Sequence, residues 1–280
     1  MTSFDPRLTP ARPDVAAESL RDQIPAERYV VGALRRVTAA AAPLWSKPDA
    51  ATMASELLYG EGFLVYDQAD GLAWGQSTRD DYVGYLPASM LAEAAEPTHW
   101  LSATASHRYA APDLKRPPLH PLYFGSLLAI VDAAPVKGFL PLADGGWVPV
   151  RHVRPLGEWL ADPLDAAERF LGAPYLWGGR TAAGIDCSGL VQMPLLACGR
   201  RTLRDSDMQA ATVGEALAEG APLRRGDIVF FPGHVGIMAD ERRLLHANAS
   251  SMAVTIDPLE EVIAIVRREK PDAWLRARRL

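Results

Sequence analysis

Asp186-Cys187-Ser188-Gly189-Leu190, reached through Gly178-Gly179 and Gly184-Ile185, is where this 280-residue chain passes from a glycine-rich loop into a helix that opens on a cysteine. At a helix start the unpaired backbone N–H groups and the helix dipole favour negative charge. A thiol held there is expected to have its pKa drawn from ~8.5 towards neutrality. The same N–H groups can stabilise the oxyanion of a tetrahedral intermediate. Most cysteines are simply small buried hydrophobes, and Cys198, at the far end of the same helix without polar neighbours, reads that way. The two lie too far apart along one helix for a disulfide, and no further cysteine is present to complete a metal site.

A cysteine nucleophile needs a base, and the base needs a group to orient it. His234 opens the apolar run Gly233-His234-Val235-Gly236-Ile237, and His246 closes Leu244-Leu245-His246-Ala247-Asn248. With Asp240-Glu241-Arg242 as the turn, the two runs pair as antiparallel strands and bring the histidines together. One imidazole then takes the thiol proton while the other accepts the N–H that remains. His99, His107, His120 and His152 read as surface or strand-end residues.

Around this centre, residues 164–171 show helical periodicity, with Asp162 as N-cap and Gly172 as the stop. Pro194 falls inside the cysteine helix and taxes it. Strands are expected at 227–231, 234–239, 243–247 and 262–267, with Asp227 ending a turn. Helices followed by strands make residues 158–280 an α+β domain. Upstream, short apolar runs broken by Gly, Pro and Asp read as two small all-β barrels, 29–96 and 97–157, each of about sixty residues. Leu44-Trp45, Glu56-Leu57-Leu58-Tyr59 and Tyr82-Val83-Gly84-Tyr85-Leu86 mark the first, and Gly146-Trp147-Val148-Pro149 closes the second in the same manner. Residues 1–28, rich in proline and charge, read as an arm rather than a core element.

Apolar residues at 49%, charged residues at 22% and a net charge of −5 describe an ordinary globular chain without a basic footprint for nucleic acid. Arg200, Arg201 and Arg204, and again Arg276, Arg278 and Arg279, read as solvated surface. The proline-rich start lacks the pattern of a signal peptide, and residues 117–131 are too short and too broken to span a bilayer. The expectation is a cytoplasmic protein with no membrane partner, of unspecified oligomeric state.

Five ordered segments resemble the NlpC/P60 family of papain-like cysteine peptidases: Gly172-Ala173-Pro174-Tyr175-Leu176-Trp177-Gly178-Gly179, Asp186-Cys187-Ser188-Gly189-Leu190, Arg225-Gly226-Asp227-Ile228-Val229-Phe230-Phe231, Gly233-His234-Val235-Gly236-Ile237 and Leu245-His246-Ala247. Arg204-Asp205-Ser206-Asp207-Met208-Gln209 adds to the likeness, and Gly84-Tyr85-Leu86-Pro87 resembles the close of a bacterial SH3 domain. The fold implied is an α+β papain-like (NlpC/P60) catalytic domain preceded by two small all-β SH3-like barrels. The resemblance implies Cys187 as nucleophile, His234 as base, His246 as third polar group and Tyr175 near the reacting carbonyl. Read without it, Tyr175 and Trp177 are core aromatics.

With two SH3-like domains ahead of it, such a peptidase resembles γ-D-glutamyl-L-diamino acid endopeptidases, which act on small murein peptides with a free N-terminal L-Ala. Asp186 and Ser188 match positions that hold the amine end. Glu56 or Glu61 with Tyr82 or Tyr85, from the first barrel, would complete the pocket. The implied role is murein peptide recycling without a cofactor or metal. The alternatives are an exported hydrolase of polymeric peptidoglycan, an acyltransferase, and a non-catalytic peptide-binding module of the same fold.

Overall fold

The computed structural model describes residues 4–271 and 275–280, so the first three residues of the expected arm lie outside the described residues. The chain divides into two compact units, 1–158 and 159–280. Among the described residues, no helix is long and apolar enough to cross a membrane.

The first unit contains a seven-stranded antiparallel sheet. Its spatial order is Met53–Leu58, Ala41–Trp45, Val83–Pro87, Leu72–Ser77, Gly62–Ala69, Ala33–Val37 and Leu91–Glu93. Asp70-Gly71 closes the hairpin between Ala69 and Leu72, both with positive φ (52° and 79°), the two-residue turn whose twist suits antiparallel strands. Phe63, Leu44, Leu57 and Leu86 supply its buried interior.

Residues 97–158 form two smaller sheets, one of four strands and one of three. Leu101, Leu122, Leu128 and Val148 share a core with Tyr59, which reaches over from the seven-stranded sheet. A strand, one 3-10 turn and another strand follow one another at Val83–Glu93 and again at Trp147–Pro155.

The amino-terminal segment departs from the expected arm. Val15–Ala17 pairs in parallel with Arg28–Val30, and Val15 and Ala17 are buried with Tyr66 and Trp74. The apolar faces of those two aromatics need a cover, and this three-residue stretch supplies it. Arg12 seals the edge, its guanidinium 4.5 Å from the Trp74 ring centroid and hydrogen-bonded to Tyr85 Oη at 3.2 Å.

Among the described residues of the second unit four helices, α1 (Pro163–Glu168), α2 (Cys187–Ala197), α3 (Ser206–Thr212) and α4 (Leu259–Glu269), accompany a six-stranded antiparallel sheet. The sheet order is Glu215–Ala216, Arg276–Arg279, Ile228–Phe231, His234–Met238, Arg243–Asn248 and Ala253–Pro258. Asp162 caps α1 by accepting from the Leu164 N–H at 2.8 Å, but the helix stops at Glu168, short of Gly172, and finishes in tight turns. Every residue of α2 except Leu196 is buried, and the helix lies against the His234 and His246 strands. Pro194 is accommodated inside it.

Two expectations are corrected here. Residues 262–267, expected as a strand, belong to α4. Leu259, Val262, Ile263 and Val266 fall at helical spacing onto Val229, Phe231, Met238 and Leu244 of the sheet. Glu260 and Glu261 lie at its positive end and Arg267 and Arg268 at its negative end, which also favours the helix over the local β-branched run. Arg276, Arg278 and Arg279, expected as solvated surface, lie on a strand, Arg276 exposed and the other two half-buried. Arg279 clasps Asp227 at 2.7 and 2.8 Å, while Arg278 donates to the carbonyls of Ala210 and Gly214. Asp227 also accepts from the Arg224 N–H at 2.8 Å, stiffening the turn before Ile228.

Gly60 makes the junction inside the first unit testable. Its φ is +80°, and a Cβ built there would lie 1.9 Å from the Leu127 carbonyl oxygen. Gly71 has nearly the same φ, yet its Cβ would meet nothing within 4 Å. Gly71→Ala is expected to cost only the backbone strain, ~1 kcal/mol. Gly60→Ala adds the collision and should cost ~3 kcal/mol or more in urea denaturation.

Candidate active site

The position of Cys187 is set by one carboxylate. Asp186 stands at the N-cap of α2, where its Oδ1 accepts from the Gly189 N–H at 2.7 Å and its Oδ2 from the Gly178 N–H at 2.9 Å. Arg204 donates to both oxygens, at 2.9 and 2.6 Å, and to Ser188 Oγ at 2.7 Å. Gln209, from α3, donates to the Ser188 carbonyl at 3.0 Å. The loop, the helix start and the approach to α3 are thereby tied together around Cys187. Arg204 is only 1% exposed, which corrects its reading as solvated surface. A buried guanidinium is tolerable because a carboxylate meets it in bidentate geometry.

The same bonds explain Trp177. Gly178, with φ of 77°, turns its N–H inward to Asp186. Trp177 is left 63% exposed rather than in the core where it was expected.

Cys187 is buried, and the backbone N–H groups of Val235 and Ser188 reach its sulfur. Burial pushes the thiol up to about 12, with Asp186 adding to the rise, while those N–H groups and Arg204 act in the opposite direction. The expected fall towards neutrality is therefore reversed. At this helix start the loss of water outweighs the dipole. Cys198 is a free cysteine at the other end of α2, partly exposed.

The histidine pair forms as the turn chemistry implies. Asp240 accepts from the N–H groups of Arg242 and Arg243, both at 2.8 Å, and closes the hairpin. Its register sets Ile237 opposite Leu245, so His234 and His246 are diagonal neighbours. His234 Nε2 lies 2.8 Å from His246 Nδ1. Burial, then the neighbouring imidazole, pushes His234 down to about 3; burial also lowers His246, against the pull of Asp257. Thiol and imidazole are both held neutral at rest.

Tyr175 is half-buried near them. Burial first, with Cys187 and Asp186 alongside, pushes its phenol up to about 12, so it remains a hydrogen-bond donor.

Asp257 is a neighbour the sequence reading missed. Its Oδ2 lies 3.0 Å from His246 Nε2 and accepts from Thr255 Oγ1 at 2.6 Å. Thr255 pairs directly with His246 across two strands. The available signal was the alternation Thr255-Ile256-Asp257, which turns two polar groups to the histidine's face. Among the described residues no group of three or more His, Cys, Asp or Glu side chains could hold a metal ion.

The remaining candidates lie in the first unit. Glu61 is wholly buried, paired with Arg79 at 2.9 Å and accepting from the Leu58 N–H. Tyr85 is bonded to Arg12, Tyr82 is buried, and Glu56 is half-buried on its strand.

A buried thiol at a helix start, braced from behind and accompanied by an imidazole pair, is an arrangement that nucleophilic hydrolysis by cysteine can use. Residues 172–267 match the NlpC/P60 family, and residues 44–91 match the bacterial dipeptidyl-peptidase SH3 domain. The chain thus carries an NlpC/P60 cysteine peptidase domain behind a bacterial SH3 domain. Dipeptidyl-peptidase 6 of Lysinibacillus sphaericus is 26% identical over 265 residues, covering 83% of this chain and 94% of that protein. The gamma-D-glutamyl-L-lysine dipeptidyl-peptidase of Bacillus subtilis is 32% identical over 127 residues, 41% of this chain and 40% of that protein. The fold is shared with the crystal structure of an NlpC/P60 family protein from Bacillus cereus. The TM-score is 0.75 at 20% identity, over 88% of this chain and 99% of that one.

The ion pair behind Cys187 can be tested by itself. Arg204→Met leaves Asp186 as an uncompensated buried charge, and ~3–5 kcal/mol of stability should be lost in urea denaturation. Adding Asp186→Asn removes that charge while keeping an acceptor for Gly189, so the double variant should recover part of the loss.

Proposed function

We propose that the protein hydrolyses the bond between γ-linked D-Glu and a diamino acid in small murein peptides with a free N-terminal L-Ala. The supporting observation is the cleft beside the histidine pair. It has a volume of about 420 Å³, and its walls include Tyr175, His234, His246, Asp257, Glu261 and Lys270. When the tetrahedral intermediate collapses, the leaving amine takes its proton from His234, so the residue carrying that amine lies on the histidine side of the sulfur. There the walls offer carboxylates to an amine-bearing side chain and an ammonium to a carboxylate. Ile265, on α4, lines the same cleft and suits an aliphatic stem.

In this reading Cys187 attacks the γ-carbonyl of D-Glu and its proton passes to His234. The developing oxyanion is met by N–H groups at the start of α2, with the Tyr175 hydroxyl as a further donor. Expulsion of the diamino acid leaves a thioester on Cys187, which water activated by His234 then hydrolyses. The names of the relatives, dipeptidyl-peptidases, support release of a dipeptide from a free amino end. Asp186, already neutralised by Arg204, contributes to that end chiefly by holding Ser188 and the helix start in place. The setting proposed is the cytoplasm, in recycling of released peptides, with residues 97–157 as a second SH3-like domain.

The test is cleavage of L-Ala-γ-D-Glu-L-Lys and L-Ala-γ-D-Glu-diaminopimelate by the purified protein, beside their N-acetylated forms and intact sacculi. The free tripeptides are expected to be cut, the acetylated ones at least ~100-fold more slowly, a loss of about 2.7 kcal/mol in transition-state binding. Equal turnover of both forms would overturn the free-amine requirement. Efficient digestion of sacculi would favour the exported wall hydrolase instead. Cys187→Ala should abolish turnover and Cys198→Ala leave it intact.

A further inference from the structure

We propose that Asp257 is a positioning residue of this peptidase: acting through His246, it sets the tautomer of His234 and leaves His234 Nδ1 as the nitrogen that receives the Cys187 proton. The inference rests on the cysteine peptidase reading of the site and does not depend on which peptide is cut.

The protons can be counted along three side chains. An ionised carboxylate only accepts hydrogen bonds. Thr255 and His246 both hydrogen-bond Asp257, which keeps its carboxyl below the usual carboxylate range despite partial burial. The 3.0 Å contact with Asp257 Oδ2 therefore requires hydrogen on His246 Nε2. A neutral imidazole carries one N–H, so His246 Nδ1 is bare. Across the 2.8 Å contact it can only accept, and His234 Nε2 donates to it. The single hydrogen of neutral His234 is then spent on Nε2, and Nδ1 keeps its lone pair. That is the form a general base must have before it can act.

Without the carboxylate the order reverses readily. Asn248 Nδ2, a donor, stands 3.4 Å from His246 Nε2 and is itself bonded to Thr255 Oγ1 at 2.8 Å. With Asp257 removed, that amide favours a bare Nε2 on His246. The hydrogen then moves to Nδ1, His234 Nε2 becomes the acceptor, and His234 Nδ1 is protonated and unable to take the thiol proton. Asp257 thus outcompetes Asn248 by charge and by distance. Among the described residues, Glu261 and Lys270, the other charged groups lining this cleft, make no hydrogen bond to either imidazole, and Lys270 donates instead to the Pro232 carbonyl.

The tautomers are read directly in long-range proton–nitrogen NMR spectra of protein labelled with ¹⁵N-histidine, near neutral pH. In the wild type both His234 and His246 are expected to carry hydrogen on Nε2 and none on Nδ1. Finding the hydrogen of His246 on Nδ1 in the wild type overturns the proposal, and this measurement requires neither substrate nor variant. In Asp257→Asn, His246 should shift wholly or partly to the Nδ1–H form.

Loss of the correct tautomer in a Ser-His-Asp triad lowers kcat about 10⁴-fold. One imidazole further away, Asp257→Asn is expected to lower kcat about 100-fold with KM little changed, and Asp257→Glu to restore part of it. Unchanged kcat and unchanged tautomers in a folded Asp257→Asn variant would also overturn the proposal. If wild-type protein fails to cut the free tripeptides, the substrate assignment falls while the spectra still decide this point.

Discussion

The contact between Asp186 and Arg204 is what the peptidase unit depends on. One carboxylate caps α2, anchors the glycine loop through Gly178, and takes both donors of a guanidinium that lies eighteen positions further on in the chain. Each partner is costly to bury alone, and the bidentate geometry with additional hydrogen bonds makes the pair tolerable. Its consequence for chemistry is indirect. Cys187 is presented at a rigid helix start, while the negative charge beside it is largely offset from behind.

Burial then shapes the reactive pair. A helix start in open water would lower a thiol pKa, but here the sulfur has lost its water and the thiol stays protonated. The same desolvation keeps His234 neutral, with a lone pair free to accept a proton, although a weaker base than a solvated imidazole. Thiol and imidazole are neutral at rest, and backbone N–H groups stand at the sulfur and at the start of α2. Such preorganised groups act most strongly where water is excluded.

How much of this could be read in the chain depended on distance along it. Cys187 was legible because helix starts are local, and His234 with His246 because a three-residue turn between apolar runs dictates a hairpin. Arg204 and Asp257 were not, since their meaning comes from partners eighteen and eleven positions away. Residues 262–267 misled because a β-branched run sits on a helix whose apolar stripe and terminal charges emerge only over eleven residues. Val15–Ala17 was missed because nothing local announces that Tyr66 and Trp74 need a cover. Trp177 was misplaced because its exposure follows from where the Gly178 N–H must point.

The central claim is that Cys187 forms a covalent thioester with the γ-glutamyl carbonyl during turnover. The most direct measurement is acid quenching of the protein during reaction with L-Ala-γ-D-Glu-L-Lys, followed by peptide mass spectrometry. The account predicts an L-Ala-γ-D-Glu adduct on the peptide that contains Cys187, absent after Cys187→Ala. Steady turnover with the adduct on another residue, or continued turnover by Cys187→Ala, would contradict it.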